Sequence, residues 1–290
     1  MVSELRQAEL MLIERLEPLA LQCPDGDFDW DTWVIVDEFA VQTATRCPAK
    51  LAAPPDEFEP TIFTSFKALA KEAAAVLGDR GGDTRRALVD VVARAQRGDD
   101  SVAPWLADYL YGCDTPELVA TVQRAATWLE RTRAVLDVPD LDRYTIDDRY
   151  QWDHPAGGLR LRGKIDLVEE GSIRPVVVLA SLDDARLDQV AYLALLHRLG
   201  RKGAPDSVVV ASHATGSVTS LATDDLVDRA VGAAERAATS VLARTTGAGG
   251  LERRASFFTC QGCHWFDSCQ ARTDAEARTD VVRRGVRLAR

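Results

Sequence analysis

The spacing of hydrophobic residues divides the chain into a helical first half and a mixed second half. Apolar residues recur with the period of a helix in five early segments, which are predicted helices: 2–21, 32–46, 62–77, 83–97 and 116–136. From about residue 144 onward the pattern changes to strict alternation, which is typical of half-buried strands. The change of period predicts a strand-containing core that follows a helical region.

Two alternating segments, 145–152 and 158–168, are predicted strands. In the second strand, one face is predicted to carry Leu159, Leu161, Ile165 and Leu167, and the other Arg160, Arg162, Lys164 and Asp166. The almost continuous apolar run 173–180 favours a central strand that is covered on both faces. A helix, a strand and a second helix are then predicted at 183–199, 206–213 and 223–243.

The order strand, strand, strand, helix, strand, helix predicts an α/β core. The helical N-terminal region is expected to span 1–140, and the α/β core 141–246. A Gly-rich linker then leads into a Cys-rich segment with a basic tail, 247–290. We expect these three parts to form one compact unit.

Composition and charge limit the classes of function. Hydrophobic residues make up 46% of the chain, which is ample for a buried core. No apolar stretch reaches the roughly 18–20 residues of a membrane-spanning helix, so we expect a cytoplasmic protein without a membrane partner. The net charge of −10 disfavours bulk attraction to nucleic acid, but it leaves room for a local cationic groove.

Three of the six cysteines are closely spaced, as Cys260-x2-Cys263-x5-Cys269. Thiolates at such spacing favour a soft metal site with four ligands, because a disulfide framework is unusual in a cytosolic chain of this size. The spacing favours an iron–sulfur cluster, with zinc or free reduced thiols as the alternatives. His264 adjoins Cys263 and is awkwardly placed to bind the same metal, so the fourth ligand is sought among distant cysteines: Cys23, Cys47 and Cys113.

Several motifs together resemble a known family. Cys47-Pro48, the Gly163-x-x-Asp166 strand and the C-terminal cysteines are similar to those of the iron–sulfur PD-(D/E)XK nucleases. This group includes RecB-like exonucleases, AddB nuclease domains and CRISPR-associated adaptation nucleases, and the resemblance covers roughly residues 33–272. It implies a restriction-endonuclease-like fold with a mixed sheet. It also implies a 4Fe–4S cluster that fastens the C-terminal segment to the N-terminal region through four ligands: Cys47, Cys260, Cys263 and Cys269.

The same resemblance implies a remnant active site. Asp166 matches the aspartate that binds the catalytic metal, and Gln189-x-x-Tyr192 matches an element beside the active site. The family's acid and lysine of the (D/E)-x-K motif are replaced by Leu179 and Ser181. Because one carboxylate holds Mg²⁺ or Mn²⁺ poorly, we expect nuclease activity to be lost.

Alternatives remain open at these positions. Lys164 could act as a migrated lysine, and another carboxylate could come from Asp148, Asp183 or Asp184, giving an active metal-dependent exonuclease. Structural interpretations exist beside these: Gln189 and Tyr192 as packing residues, Asp166 paired with Arg162 or Lys164, and Asp183-Asp184 as a helix N-cap.

The expected function is that of a catalytically degenerate protein that binds DNA, as a single strand or a duplex end, or serves as a structural component in DNA repair, recombination or defence. A helicase or a repair or defence protein is the expected protein partner. The DNA groove is predicted beside Asp166, at Arg160, Arg162 and Lys164. The alternative from another functional class is a protein-interaction scaffold without a DNA role.

The basic run near the C-terminus is predicted to be a solvated tail or a contact with the DNA backbone. It contains Arg283, Arg284, Arg287 and Arg290.

Overall fold

Helices and one mixed sheet make up the part of the protein that the computed structural model describes, which is residues 2–23, 33–52, 60–80, 83–201, 207–247, 250–254, 260, 263 and 269–274. The longer helices are α1 (Val2–Ala20), α2 (Glu38–Arg46), α3 (Pro48–Ala52), α4 (Ile62–Arg80), α5 (Thr84–Gln96), α6 (Pro104–Gly112), α7 (Thr115–Leu136), α8 (Asp184–Gly200) and α9 (Val227–Thr246), with a 3₁₀ turn at Asp224–Leu226. The strands are β1 (Val34–Val36), β2 (Tyr144–Asp153), β3 (Leu159–Glu169), β4 (Arg174–Leu179), β5 (Ser207–Ser212) and β6 (Ser217–Ala222). None of the described helices combines the length and the apolar character needed to cross a membrane.

The sheet has the order β1-β3-β4-β5-β6, and β2 also pairs with β3. The pairs β1–β3 and β4–β5 are parallel, whereas β2–β3, β3–β4 and β5–β6 are antiparallel. The prediction of an α/β protein with a mixed sheet is therefore confirmed. The sheet also contains β1, a strand from the region that the sequence predicted to be helical.

Two hydrophobic cores lie on opposite faces of the sheet. Along β4, Val177 and Leu179 belong to the core formed with α1, α2, α8 and α9, whereas Val176 and Val178 belong to the core formed with α4, α5, α6 and α7. Because successive side chains of a strand point to opposite faces, this division places helices on both sides of the sheet. The prediction that 173–180 contains a central strand covered on both faces is confirmed.

The predicted helix over 32–46 is wrong in its first part. Val34–Val36 forms β1, which pairs in parallel with residues 159–161 of β3. The helix α2 begins only after Asp37, whose side chain accepts a hydrogen bond from the N–H of Ala40 at 2.8 Å. The remaining predicted helices and strands are found with small shifts of their ends, and α3, α6 and β6 were not predicted.

The predicted face of β3 is also wrong at one position. Leu159, Leu161 and Ile165 pack in the core beneath α8, but Leu167 packs in the opposite core. The alternation is interrupted at Asp166. The residue opposite it on β2 is Asp147, and the backbone of Asp147 is left-handed, with a φ of 55°. The register of β2 with β3 skips this pair. A local distortion of the two strands therefore moves Leu167 to the other face.

One edge of β3 is divided between two strands. β2 pairs along one edge of β3. The opposite edge is shared by β1, which pairs with residues 159–161, and β4, which pairs with residues 167–169. Between them, in the described part of the chain, residues 162–166 have no strand partner on the shared edge. The Gly163-x-x-Asp166 segment therefore lies in a gap in the sheet.

Candidate functional site at Asp166

The Asp166 carboxylate lies in this gap and takes the place of a missing backbone partner. Its Oδ2 accepts a hydrogen bond from the N–H of Val178 at 2.8 Å, and the residue is only 5% exposed. An interior N–H without a partner costs about 1–3 kcal/mol. Asp166 therefore stabilises the point at which β3 and β4 diverge.

Two lysines of α4 neutralise Asp166. The Nζ atoms of Lys67 and Lys71 lie 2.9 and 2.8 Å from the same oxygen, Oδ1. The two lysines are four residues apart and so share one face of the helix. Lys71 also forms an ion pair with Asp147, so its ammonium group bridges two carboxylates of neighbouring strands.

The protonation states follow from this arrangement. Burial alone would raise the pKa of Asp166, but the two ammonium groups outweigh burial and hold that pKa well below its usual range. For Lys71, burial is outweighed by Asp166 and Asp147, and its pKa is raised. Burial lowers the pKa of Lys67, against the opposing attraction of Asp166.

A catalytic divalent cation of the kind that the nuclease resemblance implies does not fit these residues. Oδ1 of Asp166 already forms ion pairs with two ammonium groups, and Oδ2 accepts a hydrogen bond from a backbone N–H. Leu179 is buried among hydrophobic side chains and brings no ligand, and Ser181 is exposed. Mg²⁺ needs several hard oxygen ligands, and two adjacent positive charges would repel it.

A cleft with a volume of about 940 Å³ borders Lys67. Its walls come from α4, α7, α8 and the segments after β4 and β5: Phe63, Phe66, Lys67, Ala120, Gln123, Arg124, Thr127, Trp128, Arg131, Val178, Leu179, Ala180, Arg186, His213 and Ala214. We call it the cationic cleft, because four of these side chains are Lys or Arg and none of the described lining residues is Asp or Glu. Between described residues, no salt bridge joins Arg124, Arg131 or Arg186 to a carboxylate. A local surplus of positive charge therefore exists on an acidic protein.

Aromatic groups lie among the cations of the cleft. Phe63 is 66% exposed, and the guanidinium carbon of Arg124 lies 4.9 Å from the centre of its ring. Further along α7, the buried Trp128 stands edge-on to His213, whose Nε2 lies 3.0 Å from the hydroxyl of Thr132. Flat apolar groups beside cations are the surface that single-stranded nucleic acids use for stacking and phosphate contacts.

Gln189 lies next to the cationic cleft and orients one of its cations. Its Oε1 accepts a hydrogen bond from Arg186 at 3.1 Å. The amide of Gln42, turned so that its oxygen faces the guanidinium group, accepts from Nε and one terminal nitrogen of Arg186 at 2.7 and 2.9 Å. Both partners are neutral, so Arg186 is positioned without losing its charge.

Tyr192, the other residue of the Gln-x-x-Tyr element, lies inside the sheet–helix interface. It is fully buried, and its hydroxyl lies 2.8 Å from the carbonyl oxygen of Val36 and 3.0 Å from that of Arg162. These two carbonyls belong to β1 and β3 at the start of the gap. The contacts give Tyr192 a role in joining the two strands.

The three predicted DNA-binding residues have different surroundings. Arg160 is buried, forms a two-pronged ion pair with Asp153 at 2.7 and 2.9 Å, and lies over the ring of Trp33. Arg162 and Lys164 are exposed and line a second cleft of about 730 Å³, which also contains Asp37 and Glu38. The structure therefore places Arg162 and Lys164 at a different cleft from Lys67.

The carboxylates considered as substitute metal ligands have other partners. The N-cap prediction for Asp183 is confirmed, because it accepts from the N–H of Arg186 at 2.8 Å, and it also pairs with Arg46. Asp148 pairs with Arg201 and accepts from the hydroxyl of Tyr150, each at 2.5 Å. The side chain of Asp184 is 91% exposed and accepts from Arg229 at 3.4 Å. Asp166 itself pairs with Lys67 and Lys71 rather than with Arg162 or Lys164.

The described part of the C-terminal segment contacts the helix end at Cys47. The N–H of Arg254 lies 3.5 Å from Sγ of Cys47, and the N–H of Ala49 donates to the carbonyl of Glu252 at 3.2 Å. Cys47 and Cys269 are buried, Cys260 and Cys263 are half-buried, and the N–H of Cys263 donates to the carbonyl of Cys260 at 3.1 Å. Within the described residues, no three Cys, His, Asp or Glu side chains converge as a metal site.

The remaining cysteines behave as single thiols. Cys23 is buried and its thiol donates to the carbonyl of Leu19 at 3.4 Å, and burial raises its pKa. Cys113 is half-buried at the end of α6, and desolvation also raises its pKa. The basic run of Arg283, Arg284, Arg287 and Arg290 lies outside the described residues.

The sequence analysis missed most of the cationic cleft. Lys67, Arg124 and Arg131 lie on helices that carry no motif. One signal was available: Lys67 and Lys71, two of only five lysines in the chain, stand one turn apart within a largely apolar helix. Cations among the apolar positions of a helix are consistent with an acidic partner across the interface, because a charge is rarely buried without one.

Comparisons with known proteins add no family assignment. No protein-family model matches the chain, and no curated protein shows significant similarity to it.

Proposed function

We propose that this chain is a cytoplasmic, catalytically inactive protein of the iron–sulfur PD-(D/E)XK nuclease type that binds DNA in the cationic cleft. The motifs that carry the resemblance are Cys47-Pro48, Gly163-x-x-Asp166, Gln189-x-x-Tyr192 and the three C-terminal cysteines. The mixed sheet, with Asp166 at a gap between β1 and β4, is compatible with this assignment.

The environment of Asp166 is the observation that carries the proposal. In a metal-dependent nuclease the carboxylates bind the cation that polarises the phosphate and lowers the pKa of its bound water. Here two ammonium groups neutralise the carboxylate, at 2.9 and 2.8 Å. The arrangement favours a surface that still attracts phosphate groups but holds no metal ion to activate water.

The surroundings of the lysines favour DNA as the ligand. The cationic cleft combines Lys67, Arg124, Arg131 and Arg186 with the exposed ring of Phe63. Cations hold the phosphates and an aromatic ring stacks on a base, so a single strand or a frayed duplex end is the proposed form. DNA repair, recombination or defence, together with a helicase or another protein of those processes, is the proposed context.

The four cysteines of the proposed cluster have the right donor chemistry for a 4Fe–4S group, and zinc is the alternative. Cys47 would bind it together with Cys260, Cys263 and Cys269. The contacts of Glu252 and Arg254 with the segment around Cys47 bring the chain to this point six residues before Cys260. Such a cluster would cross-link the N-terminal region to the C-terminal segment and stabilise the fold.

Binding and cleavage assays on the full chain test the proposal. We expect salt-sensitive binding of short single-stranded oligonucleotides, measured by fluorescence anisotropy, without cleavage in Mg²⁺ or Mn²⁺. Arg131→Gln should weaken binding several-fold, and Arg86→Gln, which removes an exposed arginine of α5 away from the cleft, should not.

Two outcomes would contradict it. Metal-dependent cleavage that Asp166→Ala abolishes would show an active exonuclease with a remodelled site. No affinity for DNA at low salt would favour a protein-interaction scaffold, which the net charge of −10 would suit.

A further inference from the structure

The lysine pair of α4 is divided between two environments. The side chain of Lys71 is 13% exposed and binds both Asp147 and Asp166, whereas the side chain of Lys67 is 38% exposed and lines the cationic cleft. Lys71 is therefore enclosed by its two carboxylates, while Lys67 has one side open to the cleft.

Asp166 fixes the ammonium group of Lys67 in place. Its Nζ lies 2.9 Å from Oδ1 of Asp166 as an ion pair, and the open side of the ammonium group still has N–H donors for another acceptor. A long lysine side chain normally loses much rotamer freedom when it binds a ligand. Since Asp166 already restrains Lys67, part of that cost is met before a ligand arrives.

Two arginines face the same space. Arg186 is held by the neutral amides of Gln189 and Gln42, and Arg131 is exposed on α7 beside His213. Since the charges of Lys67 and Lys71 are balanced by Asp166 and Asp147, the surplus positive charge comes from these arginines and Arg124. An arginine presents a fork of donors that suits the oxygens of a phosphate group.

We infer that Lys67, Arg131 and Arg186 form a binding site for one phosphate group that needs no divalent cation. In this site the restrained ammonium group of Lys67 donates to the phosphate, and Arg131 and Arg186 supply the net positive charge that attracts it; none of the three groups activates water as a metal ion does in a nuclease. This inference deepens the proposed function and rests on it, since the phosphate is part of the bound nucleic acid.

The phosphate could come from two sources with the same chemistry. A phosphodiester inside the strand and a terminal 5′-phosphate both present oxygens to the three cations. The two sources differ in charge, because a terminal monoester carries close to two negative charges at neutral pH and a diester carries one. A matched pair of probes therefore separates them.

The test uses two single-stranded oligonucleotides of the same sequence with a 3′-fluorescein label, one ending in a 5′-phosphate and the other in a 5′-hydroxyl. Affinity for the full chain is measured by anisotropy over a series of salt concentrations, in EDTA and in Mg²⁺ at equal ionic strength. The variants are Lys67→Gln, Arg131→Gln and the control Arg86→Gln. Lys67→Gln leaves Lys71 paired with Asp166, and thermal unfolding checks that each variant is folded.

We expect binding in EDTA to be at least as tight as binding in Mg²⁺, because the cation only competes with the protein for the phosphates. Lys67→Gln should weaken binding about tenfold. The slope of log Kd against log salt concentration should decrease by about 1, which corresponds to the loss of one phosphate contact. Equal losses for both probes indicate an internal phosphodiester. A preference for the 5′-phosphate that disappears in Lys67→Gln indicates a terminal phosphate.

Failure of the phosphate site and failure of the proposed DNA binding give different results. Binding that requires Mg²⁺, or that is the same in folded Lys67→Gln as in the wild type, overturns the phosphate site while leaving DNA binding intact. No binding of either probe by the wild-type protein at low salt overturns the proposed function and the phosphate site together.

Discussion

The ammonium group of Lys71 lies 2.8 Å from Oδ1 of Asp166, and the same ammonium group also pairs with Asp147 on the neighbouring strand. This contact joins α4 to both strands at the point where their alternation is interrupted. Removing such charges from water is costly, and they are stable here because each has an opposite charge in contact. The arrangement makes the centre of the candidate site part of the folded core.

Removal of the Asp166 charge should therefore destabilise the fold. Asp166→Asn keeps the shape and an acceptor for the N–H of Val178, but it leaves Lys67 and Lys71 with one carboxylate fewer. We expect a loss of about 3 kcal/mol in the free energy of unfolding, the lower end for removal of one partner of a buried ion pair, because Lys67 is partly exposed. Urea denaturation measures it. Asp184→Asn, at a side chain that is 91% exposed and makes only a surface ion pair with Arg229, should change stability by less than about 1 kcal/mol. An equal effect of the two variants would show that the lysine contacts contribute nothing.

Removal of both ammonium groups should create affinity for a divalent cation. In the double variant Lys67→Ala/Lys71→Ala, Asp147 and Asp166 are left close together without a counter-charge. We expect the variant to be less stable than the wild type and to regain stability in Mn²⁺, with a melting temperature about 4 °C higher at tenfold excess over Kd. The wild-type melting temperature should not respond to Mn²⁺. A wild-type response equal to that of the double variant would contradict the claim that ammonium groups exclude the metal.

The glycine of the Gly163-x-x-Asp166 segment is required by packing. A Cβ at Gly163 would lie 2.6 Å from Cδ2 of Leu193 and 3.2 Å from Cδ1 of Leu196 on α8. Gly163→Ala should therefore cost about 1–3 kcal/mol through overpacking. Gly112→Ala is the matched control, since a Cβ at Gly112 meets nothing within 4 Å, and it should be neutral or slightly stabilising. Equal stability of the two variants in urea would mean that the side chains of Leu193 and Leu196 move away from the added methyl group at little cost.

The long periodic elements could be predicted because their signal is local. Segments such as 83–97 and 116–136 carry helical spacing, and α5 and α7 were found close to those bounds. The three-residue strand β1 carries too little pattern, and it exists because residues 159–161 offer a free edge more than a hundred positions away. No local signal encodes that pairing.

The same limit applies to the candidate site. The alternation in β3 identified Asp166 and the basic positions around it, but it could not show that Asp153 is opposite Arg160 and pairs with it. The cationic cleft is assembled from α4, α7 and α8, so its residues come together only in the tertiary structure. The resemblance directed attention to Gln189, although its observed contact with Arg186 was not predicted.

His197 should make stability depend on pH in mildly acidic solution. It is 1% exposed, stands edge-on to Tyr150 at 5.0 Å, and its Nε2 has no hydrogen-bond partner among the described residues. Burial, assisted by the charge of Arg201 and opposed by Asp148, lowers the pKa of His197 from 6.5 to about 4. In this interval the unfolded chain binds a proton at His197 and the folded chain does not, so stability falls as the pH drops from 6.5 to about 4.

The size of this effect can be measured with His197→Phe, which keeps the aromatic contact and removes the titration. We expect the wild type to lose about 3 kcal/mol across this interval through His197. The variant should lose correspondingly less between the same pH values in urea titrations. Parallel curves for the two proteins would show that His197 does not titrate as inferred.

Loss of one cysteine of the proposed cluster should remove colour and stability together. Cys260→Ser takes away one of four thiolates, and the cross-link to Cys47 closes a loop that spans most of the chain. Loop closure over such a span is worth roughly 5 kcal/mol at most, and the metal bonds exist only in the folded state, so the melting temperature should fall by about 10 °C. Absorbance near 400 nm, iron and sulfide assays, and thermal unfolding on anaerobically purified protein measure both properties.

The control is Cys113→Ser, at a half-buried thiol outside the proposed ligand set, which should change neither the colour nor the melting temperature. If Cys260→Ser lost the colour but kept the wild-type melting temperature, the cluster would not be a structural cross-link. A colourless wild-type protein that contains zinc would instead remove the most specific point of resemblance to the nuclease family.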